Sequence, residues 1–227
     1  MYASCLSNRG KEFGVIQTTV FKCLQVTTIL VFLVFISDVR TKRRMIPLMT
    51  RRVVIGIRLW YPMILGTYGY AVGTLHRLFA YDWIALAITS LATALVVKAK
   101  LDLAGQHTWA GFFLEGPQLT IRGAYSWIRH PLYTGIYMFA LGGGGTIVLH
   151  ERAGITAVTC LGLLCIMAFL AAAARREDQA LERQLGDEFL QYKTRVHAFL
   201  PIRKWRGREI ITTGATTKTP AERRWQH

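Results

Sequence analysis

Acidic residues and cysteines are scarce in this sequence. The 227-residue chain has 13 aspartates and glutamates against 28 lysines and arginines, a formal net charge of +15. Its four cysteines never take C-x-x-C spacing, so the pattern indicates neither a disulfide framework nor a thiolate metal site. H-E-x-x-H is absent, and Ser126 lacks the flanking glycines of a nucleophile elbow. We therefore expect no metal site and no serine nucleophile.

Hydrophobic residues are abundant instead, at 52% of the chain. A basic excess alone would fit either nucleic acid or anionic lipid as a partner. No basic stripe interleaved with aromatic residues is present, whereas long apolar runs are. Such runs favour a membrane protein with basic cytoplasmic loops. We therefore expect the membrane, and not nucleic acid, to be the partner.

Five apolar runs approach the roughly 20 residues that a helix needs to cross a bilayer. They predict an all-α, polytopic helical membrane protein with about five transmembrane helices and a C-terminal amphipathic cytoplasmic helix. The predicted spans are Phe13–Ile36, Val53–Leu75, Tyr81–Val97, Tyr133–Leu149 and Ala153–Ala174.

The first run has three interpretations. A basic stretch follows it and no small-x-small cleavage site does, so we prefer a retained helix to a signal peptide. The third interpretation is that the sequence as given starts too early, because a start at Met49 would begin the chain just before the second span.

Basic residues alternate between the connections. The first and third carry six and four lysines and arginines, the second and fourth carry one each, and more follow the fifth span. Cytoplasmic loops hold the positive excess in membrane proteins, so the N-terminus is predicted outside and the C-terminus inside. Arg129, His130 and the segment after Ala174 then share the cytoplasmic face, where we expect the active site.

The chain divides into a polar N-terminus at 1–12, a membrane domain at 13–202 and a basic, Thr-rich tail at 203–227. Apolar residues recur every three or four positions from Arg175 to Leu200, which predicts an amphipathic helix. The tail has no apolar period, so we expect it to be disordered. Residues 101–122 are mixed in character and are expected to form a loop.

Four consecutive glycines, Gly142 to Gly145, follow an apolar run. A dinucleotide-type loop needs a preceding strand and an acidic residue about 20 positions later, but residues 160–170 are apolar. The four glycines therefore favour helix packing, or room for a ligand beside bare backbone. In the second span, the glycines Gly66, Gly69 and Gly73 also suit close helix packing.

Arg129, His130 and Pro131 stand directly before the fourth span. Proline is tolerated at the first position of a helix, so His130 is expected near an N-cap. There, free N–H groups and the positive end of the helix dipole attract anions. The three residues predict an anion-binding corner at the membrane surface.

Glu177 and Asp178 leave the fifth span on the same predicted membrane face. Opposite charges that face each other suit a zwitterionic ligand, and Tyr125, Trp127 and Tyr133 would add aromatic faces. The plainer alternatives are salt bridges at the interface and an interfacial aromatic belt.

The motif Gly-Ala-Tyr-x-x-x-Arg-His-Pro-x-Tyr-x-Gly at 123–135 resembles the signature of integral-membrane isoprenylcysteine carboxyl methyltransferases and their phospholipid methyltransferase relatives. The second half of the family's signature resembles three later stretches of this chain: Glu177-Asp178-x-x-Leu181, 185–196 and Leu200-Pro201. Upstream, the Ala-Gly-Gln-His-Thr-Trp stretch at 104–109 resembles the family's Leu-Gly-x-x-Trp. The resemblance covers residues 80–202.

The resemblance implies a methyltransferase that uses S-adenosyl-L-methionine in a cytoplasmic-facing pocket closed by the C-terminal helix, with a lipid-like substrate that enters from the bilayer. It implies that the cofactor site is lined by Leu119, Thr120, Tyr125, Arg129, His130, Pro131, Leu132, Glu177 and Asp178. The implied catalytic residues are Arg129, His130 and Glu177. The implied substrate residues are Tyr133, Arg175 and Arg176.

The chain departs from the family pattern at four positions. Ala124 stands where the family often has Pro or Val, Asp178 replaces a second Glu, and Pro117 stands where some members have His. Ala173 lies where the carboxyl methyltransferases carry a substrate-side Arg, a role that Arg175 or Arg176 would have to take. The acceptor is therefore left open between a prenylcysteine-type carboxylate and a phospholipid or isoprenoid amine or hydroxyl.

Two other functions are compatible with the sequence. Some nicotinamide-dependent sterol-type membrane reductases resemble this family in their C-terminal half, but few spans precede the shared half here. The other is a non-enzymatic membrane scaffold in which the motifs only pack the C-terminal helix. The sequence does not indicate an oligomeric state.

Overall fold

The computed structural model describes residues 2–37, 45–47, 49–103, 112–114 and 119–202, with side chains for 14–37, 49–103 and 119–202. Within these ranges the chain forms six α-helices, α1 to α6, a 3-10 helix and two short strands, β1 and β2. The α-helices are Tyr2–Ile36, Arg51–Thr74, Ala80–Asp102, Pro131–His150, Ala153–Leu185 and Asp187–Arg195. The 3-10 helix is Gly123–Ser126, and β1 (Met45–Pro47) pairs antiparallel with β2 (Phe112–Leu114).

Four helices of the described chain are long and apolar enough to cross a membrane: α3, α4, α5 and the part of α1 from Gly14 to Ile36. Their outer faces expose large apolar side chains, among them Val34, Leu91 and Leu164, as a lipid environment favours. The prediction of an all-α, polytopic membrane protein is confirmed. The helix α2 corresponds to the predicted second span, Val53–Leu75, but is not one of these four, so a membrane crossing by α2 stays a prediction.

Helices α3 and α4 run antiparallel along the centre of the bundle. The helix α3 is joined to α4 at one end and to the 3-10 helix that precedes α4 at the other. At one end the Asp82 carboxylate lies 2.8 Å from His150 Nε2. At the other end the Asp102 carboxylate accepts a hydrogen bond of 2.8 Å from the backbone N–H of Ala124. The candidate site described below lies at this second end.

The glycine run lies within α4 and allows the close approach of its neighbours. A Cβ on Gly142 would lie 2.7 Å from the Thr89 methyl of α3, and one on Gly143 would lie 2.9 Å from the Tyr68 ring of α2. Gly145, in contrast, has open space around it in the described part of the chain. The interpretation of this run as a helix-packing element, rather than a nucleotide loop, agrees with these contacts.

The sequence predicted one amphipathic helix from Arg175 to Leu200. The structure instead divides this segment at Gly186. The helix α5 continues without a break to Leu185, and Gly186 then reverses the chain at a φ of 54°, a conformation that favours glycine. The helix α6 ends at Arg195. The residues after it run alongside 128–130 and form an isolated parallel bridge between Ile128 and His197.

Three smaller expectations also need correction. Residues 101–122 were expected to be loop, but α3 extends to Asp102 and Phe112–Leu114 form β2. The helix α1 begins at Tyr2, inside the polar N-terminus. The glycines of α2 at 66, 69 and 73 were expected to pack closely, yet a Cβ at each would meet nothing within 4 Å among the described residues. The predicted tail at 203–227 lies outside the described residues.

The two ends of the glycine run offer a matched test of this packing. We expect Gly142→Ala to destabilise the protein by about 1–3 kcal/mol, because its new methyl group overpacks the α3 contact. Gly145→Ala adds the same methyl group to open space and should leave stability unchanged or slightly raised. Thermal unfolding in detergent checks this, and equal midpoints for the two variants would contradict the packing described.

Candidate active site

The corner before α4 has the local structure that its sequence predicts. Pro131 is the first residue of α4 and His130 is its N-cap. The backbone N–H groups of Arg129 and His130, however, are not free for an anion. They donate hydrogen bonds to the carbonyl oxygens of His197 and Ala198, at 2.8 and 2.9 Å. The chain after α6 is therefore fixed against the start of α4.

Five side chains converge at this corner, from α5, from the first turn of α4 and from the two residues before α4. We refer to them as the charged cluster: Arg129, His130, Tyr133, Glu177 and Asp178. Arg129 Nη2 lies 3.1 Å from Asp178 Oδ2, and His130 Nε2 lies 3.0 Å from Asp178 Oδ1. The Tyr133 hydroxyl donates to Glu177 Oε2 at 2.9 Å, and His130 Nδ1 is 3.8 Å from the same oxygen. The sequence predicted that these residues would share one face, and the structure brings them into direct contact.

Most of the charged cluster is removed from solvent. The exposed fractions of the side chains are 5% for His130, 10% for Arg129 and 13% for Asp178, but 28% for Glu177. Charges attract more strongly where little water surrounds them, and a buried charge that loses its partner is costly. Arg129 and Asp178 therefore hold each other in place, while Glu177 is the member that a ligand can reach most easily.

Arg129 also connects the charged cluster to α6. Its Nη1 donates to the carbonyl oxygens of Lys193 and Val196, both at 3.0 Å. Its Nε is buried and has no hydrogen-bond partner among the described residues. Because an unsatisfied buried donor costs about 1–3 kcal/mol, this N–H is a strong candidate to bind an oxygen of a ligand.

Aromatic rings form one wall of the site. The His130 ring stacks on Tyr133 with centroids 5.5 Å apart, and its centroid is 5.8 Å from that of Phe199. Phe199 also contacts Tyr137 edge-on, and its carbonyl accepts a hydrogen bond from the Thr134 hydroxyl. Sequence reasoning assigned Phe199 only to an amphipathic face and so missed its place beside the cluster.

A small apolar layer covers the site from the side of α6. Phe189, Tyr192 and Val196 are buried together, and Leu119 packs against them. The Tyr192 hydroxyl donates to the carbonyl of Tyr125 at 2.6 Å. Burial raises the pKa of both tyrosines, so they stay neutral at physiological pH and serve as packing and hydrogen-bonding groups.

The other predicted site residues lie around this arrangement. Pro131 is buried, Leu132 is half-buried against the main core, and Thr120 is half-buried beside Leu119. Arg175 and Arg176 are exposed, unlike the largely buried cluster, and their assignment to substrate stays a prediction. Trp127 is 59% exposed. The predicted motif at 104–109 and Pro117 lie outside the described residues.

Comparisons with known proteins add no assignment. No family model matches the chain, and no curated protein matches it. Within the described residues no group of three or more His, Cys, Asp and Glu side chains could hold a metal ion. The site is thus defined by its own chemistry: a buried Arg–His pair, a carboxylate pair, an unpartnered guanidinium N–H and an aromatic wall.

Two acidic residues of α5 allow a controlled test of the cluster. Asp178 pairs with Arg129, and Glu182 pairs with Lys193 of α6. Asp178→Asn keeps the shape but removes the charge that Arg129 faces, so we expect a loss of about 3 kcal/mol or more in unfolding free energy. Glu182→Gln breaks the half-exposed pair with Lys193, at 3.0 Å, and should cost at most about 1 kcal/mol.

Thermal unfolding and limited proteolysis after α5 measure both effects. Faster cleavage around Gly186 in Asp178→Asn alone is the expected result. Equal effects of the two substitutions would mean that the buried pair does not hold α6.

Proposed function

We propose that the protein transfers a methyl group from S-adenosyl-L-methionine to a lipid-like acceptor in the membrane. The observation that carries the proposal is the charged cluster at the end of apolar, membrane-crossing helices, where the Arg129 Nε has no partner in the described chain. The resemblance of 123–135 and 177–201 to the membrane methyltransferases supplies the reaction type. The placement of both motifs in one cluster agrees with it.

The chemistry of the residues present fits a zwitterionic cofactor with a carboxylate and an ammonium group. Arg129 Nε would donate to a carboxylate oxygen, because Asp178 and two backbone carbonyls already use its terminal nitrogens. Glu177 is the carboxylate with the most exposed side chain in the cluster and would accept from the amino group or from ribose hydroxyls. The rings of Tyr133 and Phe199 would stabilise a cationic centre.

The bound cofactor supplies an activated methyl group on a sulfonium. The protein's contribution is then to position the acceptor and to exclude water. Asp178 and the backbone carbonyls hold the guanidinium of Arg129 in place, and the α6 layer limits access of solvent. These roles need no metal and no covalent intermediate.

The need for a base depends on the acceptor. A carboxylate acceptor attacks without one, whereas an amine or hydroxyl must lose a proton. Both ring nitrogens of His130 face carboxylate oxygens, at 3.0 and 3.8 Å, which leaves Glu177 as the better-placed base. The alternation of basic residues between connections supports a cytoplasmic position for this end of the bundle, with the N-terminus outside.

Methyl transfer can be measured directly. Purified protein incubated with methyl-tritiated S-adenosylmethionine and a membrane lipid extract should place label in the lipid fraction. Product identification would then name the acceptor. Titration with NADPH is the control for a reductase. Binding of NADPH without binding of S-adenosylmethionine would overturn the proposal. Binding of neither compound would also overturn it and would favour the non-enzymatic membrane scaffold.

Two variants test the assigned cofactor contacts. Arg129→Lys keeps the positive charge but removes Nε, together with the guanidinium fork that binds Asp178 and two carbonyl oxygens, so we expect the Kd for S-adenosylmethionine to rise about 10- to 100-fold. Glu177→Gln should also weaken binding and leaves the Arg129 contacts in place. Arg183→Gln removes an exposed charge on α5 and is the matched control. Equal Kd values for all three and the parent would exclude these residues from the cofactor site.

A further inference from the structure

A groove lies between α2 and α5 near the end of the bundle that is opposite the charged cluster. Its space is about 500 Å³, within the roughly 300–1,000 Å³ of small-molecule sites. Residues between Met63 and Tyr70 of α2 and between Gly154 and Thr159 of α5 line it. Glu177 follows Thr159 by 18 residues of the continuous helix α5, so the groove and the charged cluster are about 27 Å apart along the helix axis.

The groove exists because α2 and α5 diverge from a close contact. A Cβ on Gly162 would clash with the Trp60 indole and the Ile64 side chain, so the two helices touch there. Closer to the end of the bundle, a Cβ on Gly66 or on Gly154 would meet nothing within 4 Å in the described chain. These two glycines therefore leave the groove open, and the contact at Gly162 closes its floor.

Thr159 is a buried polar residue at the inner end of the groove. It is 2% exposed and lines the groove, and its hydroxyl has no hydrogen-bond partner among the described residues. The Thr67 and Thr156 hydroxyls, by contrast, donate to backbone carbonyl oxygens. Because a buried hydroxyl without a partner costs free energy, a polar group of a ligand in the groove would stabilise Thr159.

The chemistry of the lining selects the kind of polar group. No charged side chain is among the described residues that line the groove, so a phosphate or carboxylate head group would lie there without a counter-charge, which is costly in a membrane. The polar side chains of the lining are those of Thr67, Tyr70 and Thr159. A hydroxyl group both donates to and accepts from such side chains, whereas a hydrocarbon does neither. The lining therefore favours a neutral alcohol.

The groove also lies at the depth that a lipid alcohol needs. Tyr70 is four residues before the last residue of α2 and is 59% exposed, as is typical of tyrosines at the membrane–water interface. Thr159 is six residues, or about 9 Å, from the start of α5. Met63 and Val158 are about half exposed and would contact the apolar body of the same lipid.

We propose that this groove binds the head of a neutral membrane lipid that carries a free hydroxyl group, with Thr159 as its hydrogen-bond partner. The proposal does not depend on methyl transfer, because none of the residues of the charged cluster line the groove. A transmembrane helix of a second copy is the alternative occupant, since small residues also let helices approach. The unpartnered Thr159 hydroxyl favours a ligand that brings its own hydrogen-bonding group.

Photolabelling with three head-group analogues tests the proposal. Hexadecanol, hexadecane and hexadecyl phosphate each carry a diazirine near the head end and are irradiated with the purified protein in phosphatidylcholine nanodiscs. We expect hexadecanol to label residues 63–70 and 154–162 about two- to tenfold more than the other two probes, as one hydrogen bond allows. Equal labelling of these residues by the alcohol and the hydrocarbon would overturn the proposal.

The Thr159 contact has a matched control on the facing helix. Thr159→Val keeps the shape and removes the hydroxyl, so labelling by hexadecanol should fall to the level of hexadecane. Thr67→Val makes the same change at a hydroxyl that already donates to the Met63 carbonyl, at 2.9 Å, and should keep the parent labelling. Equal labelling of the two variants would show that Thr159 is not the partner of the alcohol.

The space of the groove is tested by filling it. Gly66→Leu should lower labelling of 154–162 by about tenfold or more, because its side chain occupies the groove. Gly56→Leu adds the same side chain to open space on α2, outside the groove, and should leave labelling unchanged. Gly154→Leu fills the groove from α5 and replaces Gly66→Leu if that variant does not fold. Unchanged labelling in a folded groove-filling variant would contradict the proposal.

Two further measurements separate this proposal from its alternatives. If the parent is not labelled by hexadecanol and Gly66→Leu converts a dimer in nanodiscs to a monomer, the groove is an interface between copies and the proposal is wrong. Binding of S-adenosylmethionine to Gly66→Leu should equal that of the parent. Failure of the lipid site therefore leaves the proposed function standing, and a failure to methylate any lipid leaves the labelling result standing.

Discussion

The ion pair between Arg129 and Asp178, at 3.1 Å, is the interaction on which the site end of the bundle depends. It joins the start of α4 to α5, and the same guanidinium binds two carbonyl oxygens at the end of α6. Neither side chain is more than 13% exposed. Removal of one partner would therefore leave a buried charge, which costs more than the intact pair contributes. One arginine thus positions three segments that are distant in sequence.

Charged side chains that are buried in a membrane protein need partners. The two ends of the α3–α4 pair differ in how their buried polar groups are satisfied. At the end away from the site, the fully buried Asp82 contacts His150 and accepts the backbone N–H of Phe79. That carboxylate is satisfied by the protein itself. At the site end the guanidinium keeps a buried Nε without a partner in the described chain. This difference is the reason why we assign the ligand to the site end and not to the Asp82–His150 end.

Sequence reasoning located the local features of this site because they depend on near neighbours. Pro131 defines the first turn of α4, His130 takes the N-cap, and the carboxylates follow an apolar run. Their convergence followed from the alternation of basic loops, which placed both motifs at one end. The helical character of the chain was equally readable from apolar runs of sufficient length.

The remaining features depend on contacts between distant residues, which periodicity does not encode. The break at Gly186 interrupts an apolar pattern that continues on both sides, so the pattern alone predicted one helix. Because the chain turns at Gly186, carbonyl oxygens at the end of α6 accept hydrogen bonds from Arg129, and Phe199 lies beside the charged cluster. The close packing of α4 similarly depends on distant residues, because Gly143 and Gly144 face Tyr68 of α2 and Leu163 of α5, whereas Gly145 has open space around it in the described chain.

The central claim is that the charged cluster binds S-adenosylmethionine, and hydrogen exchange of the purified protein with and without this compound tests it most directly. Binding at Arg129 and Glu177 would tighten the contacts between the start of α4 and the chain after α6. The account predicts slower amide exchange at 128–134 and 187–199, with the Asp82–His150 end unchanged. Unchanged exchange at saturating S-adenosylmethionine, or protection confined to the Asp82–His150 end, would contradict it.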